Sequence, residues 1–257
     1  MKRQGSPRHE VAPIFQEVER LQQAIMSEQN PEQARHLMRF FKTGPGQYGE
    51  GDQFLGLKVP TTRGLLKRFP VISLEACEVL LTSPYHEIRL VALLAMVRAF
   101  QRGSAGEKWS IHKSYLKHTR WINNWDLVDL SAPAIAGEYW LEHPNSKKLD
   151  QLVHSSWLWD RRIAILSTLA NIRRHDFEST LRLAHLLLRD TEDLMHKATG
   201  WMLREMGKRD ETPLLGFLNR HAHQMPRTML RYAIEKLAQF LRRAYLEQSQ
   251  PSKRGPL

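Results

Sequence analysis

Apolar residues recur at three- and four-residue intervals through most of the chain, the spacing that lines one side of an α-helix. The pattern predicts helices over Ile14 to Met26, Ala34 to Phe41, Leu74 to Leu81, His86 to Phe100, Lys108 to Leu116 and Trp125 to Trp140, the last with a break expected at Pro133. It continues over Lys147 to Val153, Trp157 to Ile172, Phe177 to Leu188, Asp193 to Met206, Leu214 to His221 and Thr228 to Tyr245. No convincing run alternates with the two-residue period of a strand, so the expected fold class is all-α. Pro31 and Pro226 stand where a first helical turn accepts proline, while Ser83-Pro84, His143-Pro144 and Thr212-Pro213 separate neighbouring helices.

The exception is Thr43 to Pro60, where Gly44, Gly46, Gly49, Gly51 and Gly56 crowd together. A loop of this length inside a helical domain is usually functional or disordered. Its exposed amides could approach a phosphate, and a plain connection is the competing reading.

The helices also repeat. Arg89-Leu-Val-Ala92, Asp126-Leu-Val-Asp129, Arg161-Arg-Ile-Ala164 and Lys197-Ala-Thr-Gly200 lie 37, 35 and 36 residues apart, and Arg231 follows 34 residues later. A period in the mid-thirties that holds two helices signals stacked helical hairpins, none of which buries its apolar face alone. The expectation is one domain over 9–247, a curved solenoid with a concave surface lined by every second helix, between mobile polar tails at 1–8 and 248–257.

Composition narrows the partners. Hydrophobic residues make up 42% of the 257, enough for a sizeable core, and 38 Lys and Arg against 27 Asp and Glu leave a formal net charge of +11. That balance favours a polyanion such as nucleic acid, with a generally basic solvated surface as the alternative. Cys77 is the only cysteine, which excludes intrachain disulfides and thiolate metal clusters and suits a packed small hydrophobe. His221 and His223 lack partners at ligand spacing, so no metal and no cofactor are expected. No apolar run is long enough to span a membrane and the first ten residues lack a signal-peptide core, so an intracellular, cytoplasmic protein is expected.

Within the repeat the fourth position is Ala92, Asp129, Ala164 and Gly200, small except for the carboxylate. A charge where a helix packs breaks the local rule, and such violations tend to mark functional sites. A cap or an ion pair to a neighbouring helix, for instance with Arg162, is the structural alternative. Trp125 lies four residues before Asp129, on the same helical side, and Trp201 follows Gly200 directly. An indole is more often core than platform, but two of them flanking a carboxylate offer electron-rich faces to a cation. Lys58, Arg63, Lys67, Arg89, Arg120, Lys197 and Arg204 are candidates for a duplex groove, each competing with a plain solvated role.

Over roughly Gln47 to Lys208 the chain resembles the AlkD-like DNA glycosylases of the DNA alkylation repair enzyme family. The likeness lies in Gly51-Asp-Gln-Phe-Leu-Gly-Leu-Lys-Val-Pro60, His86-Glu-Ile-Arg89, Asn124-Trp-Asp-Leu-Val-Asp129, Trp157-Leu-Trp-Asp-Arg-Arg-Ile-Ala164 and His196-Lys-Ala-Thr-Gly-Trp-Met-Leu-Arg-Glu205. The resemblance implies HEAT-like helical hairpin repeats with a concave basic surface, and hydrolytic removal of cationic N3- and N7-alkylated purines from double-stranded DNA by a monomer. It puts the catalytic aspartate at Asp129, the sugar- and lesion-contacting tryptophans at Trp125 and Trp201, and a DNA-backbone arginine at Arg162, with Arg161 beside it. It also implies an open surface that need not enclose the base. Two other functions fit the same charge and architecture, a noncatalytic binder of branched or distorted DNA and a protein-binding scaffold. Neither requires Asp129 between paired indoles.

Overall fold

The computed structural model describes residues 11–248, with side chains from residue 13. Apart from Gln248, the tails expected to be mobile lie outside the described residues. Among these residues the secondary structure is helical, joined by turns and one isolated parallel bridge between Gln53 and Tyr85. The chain gathers into two compact units that divide at Ser131/Ala132.

The first unit holds α1 (Val11–Met26), α2 (Pro31–Phe40), α3 (Val59–Arg68), α4 (Leu74–Leu81), α5 (His86–Arg102), α6 (Ala105–Lys117) and most of α7 (Trp125–Ala132). The α3 helix was not expected. Only Thr62, Leu65 and Leu66 are buried along it, and Pro60 and Gly64 interrupt the apolar period, so the pattern fades into the glycine-rich segment before it. Helix α1 packs against α3 and α4, and α5 against α3, α4 and α6. Leu21, Ile25, Leu80, Leu81, Ile88, Leu93 and Met96 form the centre of this packing. Cys77 lies buried among them, and burial, with the Glu17 carboxylate nearby, pushes its thiol up to about 12, so it behaves as the small hydrophobe expected.

Helix α5 is buried on every side over its first eight residues. Three of those residues, His86, Glu87 and Arg89, are polar. Polar groups taken out of water need partners in place, so the start of α5 must be met by donors and acceptors from other segments.

The second unit contains α8 (Glu138–Glu142), α9 (Ser146–Val153), α10 (Leu158–Ser167), α11 (Leu169–Arg173), α12 (Glu178–Leu186), α13 (Asp193–Gly207), α14 (Glu211–His221), α15 (Arg227–Ala233) and α16 (Gln239–Gln248). The break expected at Pro133 is a π-helical stretch over Pro133–Gly137, a wider turn that accommodates the carbonyl left without a proline N–H. The single helix expected over Thr228 to Tyr245 is two, α15 and α16. Ile234 and Leu237 in the turn between them are themselves buried, so the apolar period runs on without a break although the backbone turns.

Helix α13 packs against α10 on one side and α15 on the other, with α12 and α14 completing its surround. The repeat register thus corresponds to helices stacked in succession within this unit. It also explains the small fourth position. A Cβ on Gly200 would lie 2.4 Å from Met229 O and 2.6 Å from Tyr232 Cβ, so α13 meets α15 at a separation that only glycine allows. No described helix is long and apolar enough to cross a membrane.

Gly200→Ala should therefore force α13 and α15 apart. The expected loss is about 1–3 kcal/mol of unfolding free energy, the usual scale of core overpacking, read from urea denaturation. An unchanged midpoint would show that the two helices do not approach this closely.

Candidate functional site

The glycine-rich segment is an ordered loop held by backbone pairing and by two buried carboxylates. Gln53 N–H donates to Pro84 O at 3.2 Å, His86 N–H donates to Gln53 O at 2.8 Å, and Asn30 N–H donates to Leu55 O at 2.8 Å. The Glu87 carboxylate, buried at the start of α5, accepts from the backbone N–H groups of Leu55, Gly56 and Leu57 at 2.9, 2.8 and 3.1 Å. An anion position made of loop amides does exist here, and the protein's own glutamate fills it. Gly56 adopts φ 89° and a Cβ there would come 2.1 Å from Asn30 O, so the loop can pass over the start of α2 only with glycine at this position.

The second carboxylate belongs to the loop itself. Asp52 is buried; its Oδ1 accepts from Arg89 Nη2 at 2.7 Å and Asn123 Nδ2 at 3.1 Å, and its Oδ2 from His86 Nδ1 at 3.2 Å and Asn124 Nδ2 at 3.3 Å. The other nitrogen of His86, Nε2, lies 2.8 Å from Asp126 Oδ2 in the first turn of α7. Asn124 Oδ1 in turn accepts from Trp125 N–H at 2.9 Å. Loop, α5 and the start of α7 are thus joined through one buried polar network.

Its protonation follows from its geometry. Burial works against a charged imidazole at His86, but the Asp126 charge and the hydrogen bonds to Asp126 and Asp52 outweigh it and raise the pKa to about 9. Burial likewise works against ionised Asp52, and the His86 hydrogen bond with the charges of Arg89 and His86 holds the carboxyl below its usual range.

Trp125 opens α7 and is partly buried. Its indole stacks on Phe41 at 5.2 Å between ring centroids and 19° between planes. Phe41 stacks on Phe54 at 5.0 Å, and Phe54 on His86 at 4.6 Å, which makes an aromatic column from the indole back into the polar network. Phe40, 57% exposed, sets its ring edge-on to Trp125 at 6.0 Å and 71°. Asp129 follows one turn later, partly exposed and, at this spacing, on the same side of α7 as Trp125.

In the second unit Trp201 is partly exposed on α13, with its indole N–H donating to Glu205 Oε1 at 3.1 Å. Arg162 is buried on α10 and donates through Nη1 to Leu194 O at 2.7 Å. Arg161 is engaged by Asp190 at 2.7 and 3.3 Å and by the carbonyls of Ser155 and Ser156, which ties α10 to the segment before α13. Lys197 pairs with Asp193 at 2.7 Å and keeps much of its side chain in solvent. Lys58 is exposed at the start of α3, beside an open cavity it lines with Asn30, Glu32, Gln33 and His36.

One expected duplex contact needs correction. Arg89 is only 2% exposed, with its guanidinium spent on Asp52 and on Ser83 O, so it neutralises a buried carboxylate and is not presented to a phosphate. Reading the residues also missed Asp52, Glu87, Phe40, Phe41 and Phe54. The available signal was three polar residues within the first turn of a helix that is otherwise apolar as far as Val97.

The model of the family described as DNA alkylation repair enzyme matches residues 21–237. A solved structure of a predicted DNA alkylation repair enzyme from Enterococcus faecalis is similar in fold, with a TM-score of 0.62 at 18% identity, over 82% of this chain and 97% of that one. None of the curated proteins matches the chain.

The His86 pairing makes stability depend on pH with a definite sign. Its folded pKa lies above the unfolded value of about 6.5, so the stabilisation is complete below about pH 6.5 and is lost as pH rises through about 9. Asp52 acts oppositely, stabilising above about pH 4 and losing that contribution as the solution is acidified. Urea denaturation should show a decline on the order of 3 kcal/mol across the alkaline window, absent in His86→Gln. Parallel profiles for the two proteins would contradict the pairing.

Proposed function

Since the chain belongs to the DNA alkylation repair enzyme family, we propose that it hydrolyses the N-glycosidic bond of cationic N3- and N7-alkylated purines in duplex DNA and leaves an abasic site. The observation that carries this reading is the pair Trp125 and Asp129, an indole and a carboxylate four residues apart and both partly exposed on a helix whose first turn is pinned by buried hydrogen bonds.

Those residue types suit the reaction. Alkylation at N3 or N7 makes the purine positively charged, so it departs without a general acid. What remains is to stabilise the sugar cation that forms as the bond breaks. Asp129 does so electrostatically, and the same carboxylate can orient the water that adds to C1′. The faces of Trp125 and Trp201 meet the deoxyribose and the cationic nucleotide, each cation–π contact contributing about 0.5–2 kcal/mol. Trp125 comes to this role already held by Phe41, which reduces the ordering that binding must impose.

Backbone contacts in this proposal fall to Lys58 and Lys197, with Arg162, buried against Leu194 O, and Arg161 as braces along α10. Phosphate contacts position a duplex without reading its sequence, so binding is expected to be salt-sensitive and largely indifferent to sequence. An open surface that contacts the lesion's backbone need not extrude the base. The sequence singles out no lysine for a Schiff base, and the activity proposed is monofunctional; a lysine-dependent adduct trapped by borohydride would contradict this.

The test is release of 7-methylguanine and 3-methyladenine from methylated duplex DNA under single-turnover conditions. Asp129→Asn should lower the rate at least about 100-fold, the scale expected when a preorganised stabilising charge is lost. Absence of release by the native protein, with DNA binding intact, would overturn the enzymatic reading in favour of a noncatalytic binder of distorted DNA.

A further inference from the structure

We infer that Asp52 and His86 are positioning residues: a doubly protonated imidazole, held between the carboxylates of Asp52 and Asp126, sets the first turn of α7 and with it the placement of Trp125 and Asp129. The inference takes its functional meaning from the roles proposed above for those two residues, while the geometry behind it does not depend on them.

Each ring nitrogen of His86 faces a carboxylate oxygen, Nδ1 at 3.2 Å from Asp52 and Nε2 at 2.8 Å from Asp126. An ionised carboxylate only accepts hydrogen bonds, so both nitrogens must donate, and only the imidazolium does that. Removing either proton leaves a lone pair against a carboxylate oxygen at about hydrogen-bonding distance, in a site nearly closed to water where such contacts are little screened. Three groups of charge face the ring: Asp52 from the loop, Asp126 from α7 and Arg89 from α5 itself. Phe41 and Phe54 lie against the ring and exclude water.

The strain has one short path out. Asp52 is fixed by Arg89 and two asparagines, whereas Asp126 stands in the first turn of α7, next to Trp125 and three residues before Asp129. A shift at Asp126 therefore moves both residues. A second path is the column His86, Phe54, Phe41, Trp125, through which the imidazole also supports the indole. A reacting group displaced by about 1 Å can lose on the order of 100-fold in rate, so positioning of this kind is large enough to measure.

The experiment uses the full chain labelled with 5-fluorotryptophan, the Trp125 fluorine resonance being assigned by its loss in Trp125→Phe. The resonance is followed from about pH 7 to about pH 10 in the native protein, His86→Gln and Asp126→Asn, and 7-methylguanine release is measured separately at about pH 7.5. The native resonance should move with a midpoint near 9 and that step should vanish in both variants. Release by His86→Gln should fall at least about tenfold. A native resonance that does not titrate in this range, or a His86→Gln protein that keeps its rate within about twofold, overturns the inference. Should a variant fail to fold, the native titration decides alone. Titration near 9 that is lost in the variants, in a protein that releases no base, upholds the positioning and defeats the glycosylase reading. Release without titration does the reverse.

Discussion

Asp52 is a carboxylate with almost no access to water, and much of the first unit is arranged around meeting its needs. A lone ionised carboxylate in such a place would cost several kcal/mol, so each of its oxygens takes two donors. Those donors come from α5 and from the two asparagines ahead of α7. Satisfying one buried charge therefore brings three segments together that are far apart in sequence. Glu87 does the same for the loop amides at Leu55, Gly56 and Leu57, and between them the two carboxylates turn a glycine-rich stretch into a fixed surface.

Buried ion pairs of this kind are often no more stabilising than an apolar core of the same volume. Their value here is directional. A hydrogen bond fixes angle as well as distance, and α7 begins at the point where three such bonds from Asn123, Asn124 and Asp126 converge on Asp52 and His86, while Asn124 Oδ1 also accepts from Trp125 N–H. The two residues that matter most to the proposed chemistry sit in the eight residues of that helix. Helix α5, buried on every side over its first eight residues, supplies the floor against which the polar contacts are made.

The proposed chemistry asks little of proton transfer and much of placement. A cationic purine leaves without help, so what a protein can add is charge and aromatic surface held still around the sugar. That requirement suits a helical scaffold in which Trp125 leans on a stack of aromatic rings and Asp129 follows at a fixed turn. The cationic side chains divide into two kinds by their partners. Arg89, Arg161 and Arg162 are engaged inside the fold, while Lys58 is exposed and Lys197, paired with Asp193, is partly so.

Most helices, the repeat register in the second unit, and the placing of Trp125 and Asp129 one turn apart on a single helix are legible in the sequence, because helical periodicity and a charge in a small-residue position are local signals. The all-α class follows from the same periodicity. The α3 helix and the division between α15 and α16 are not legible, since proline and glycine mask the one and buried turn residues, Ile234 and Leu237, disguise the other. Sequence alone could count Arg89 among surface cations and leave the glycine-rich loop open between order and flexibility. Only the tertiary structure decided that Arg89 neutralises Asp52 and that Glu87 holds the loop. Burial and partner choice arise from contacts across some thirty to seventy residues of chain, and no local pattern encodes them.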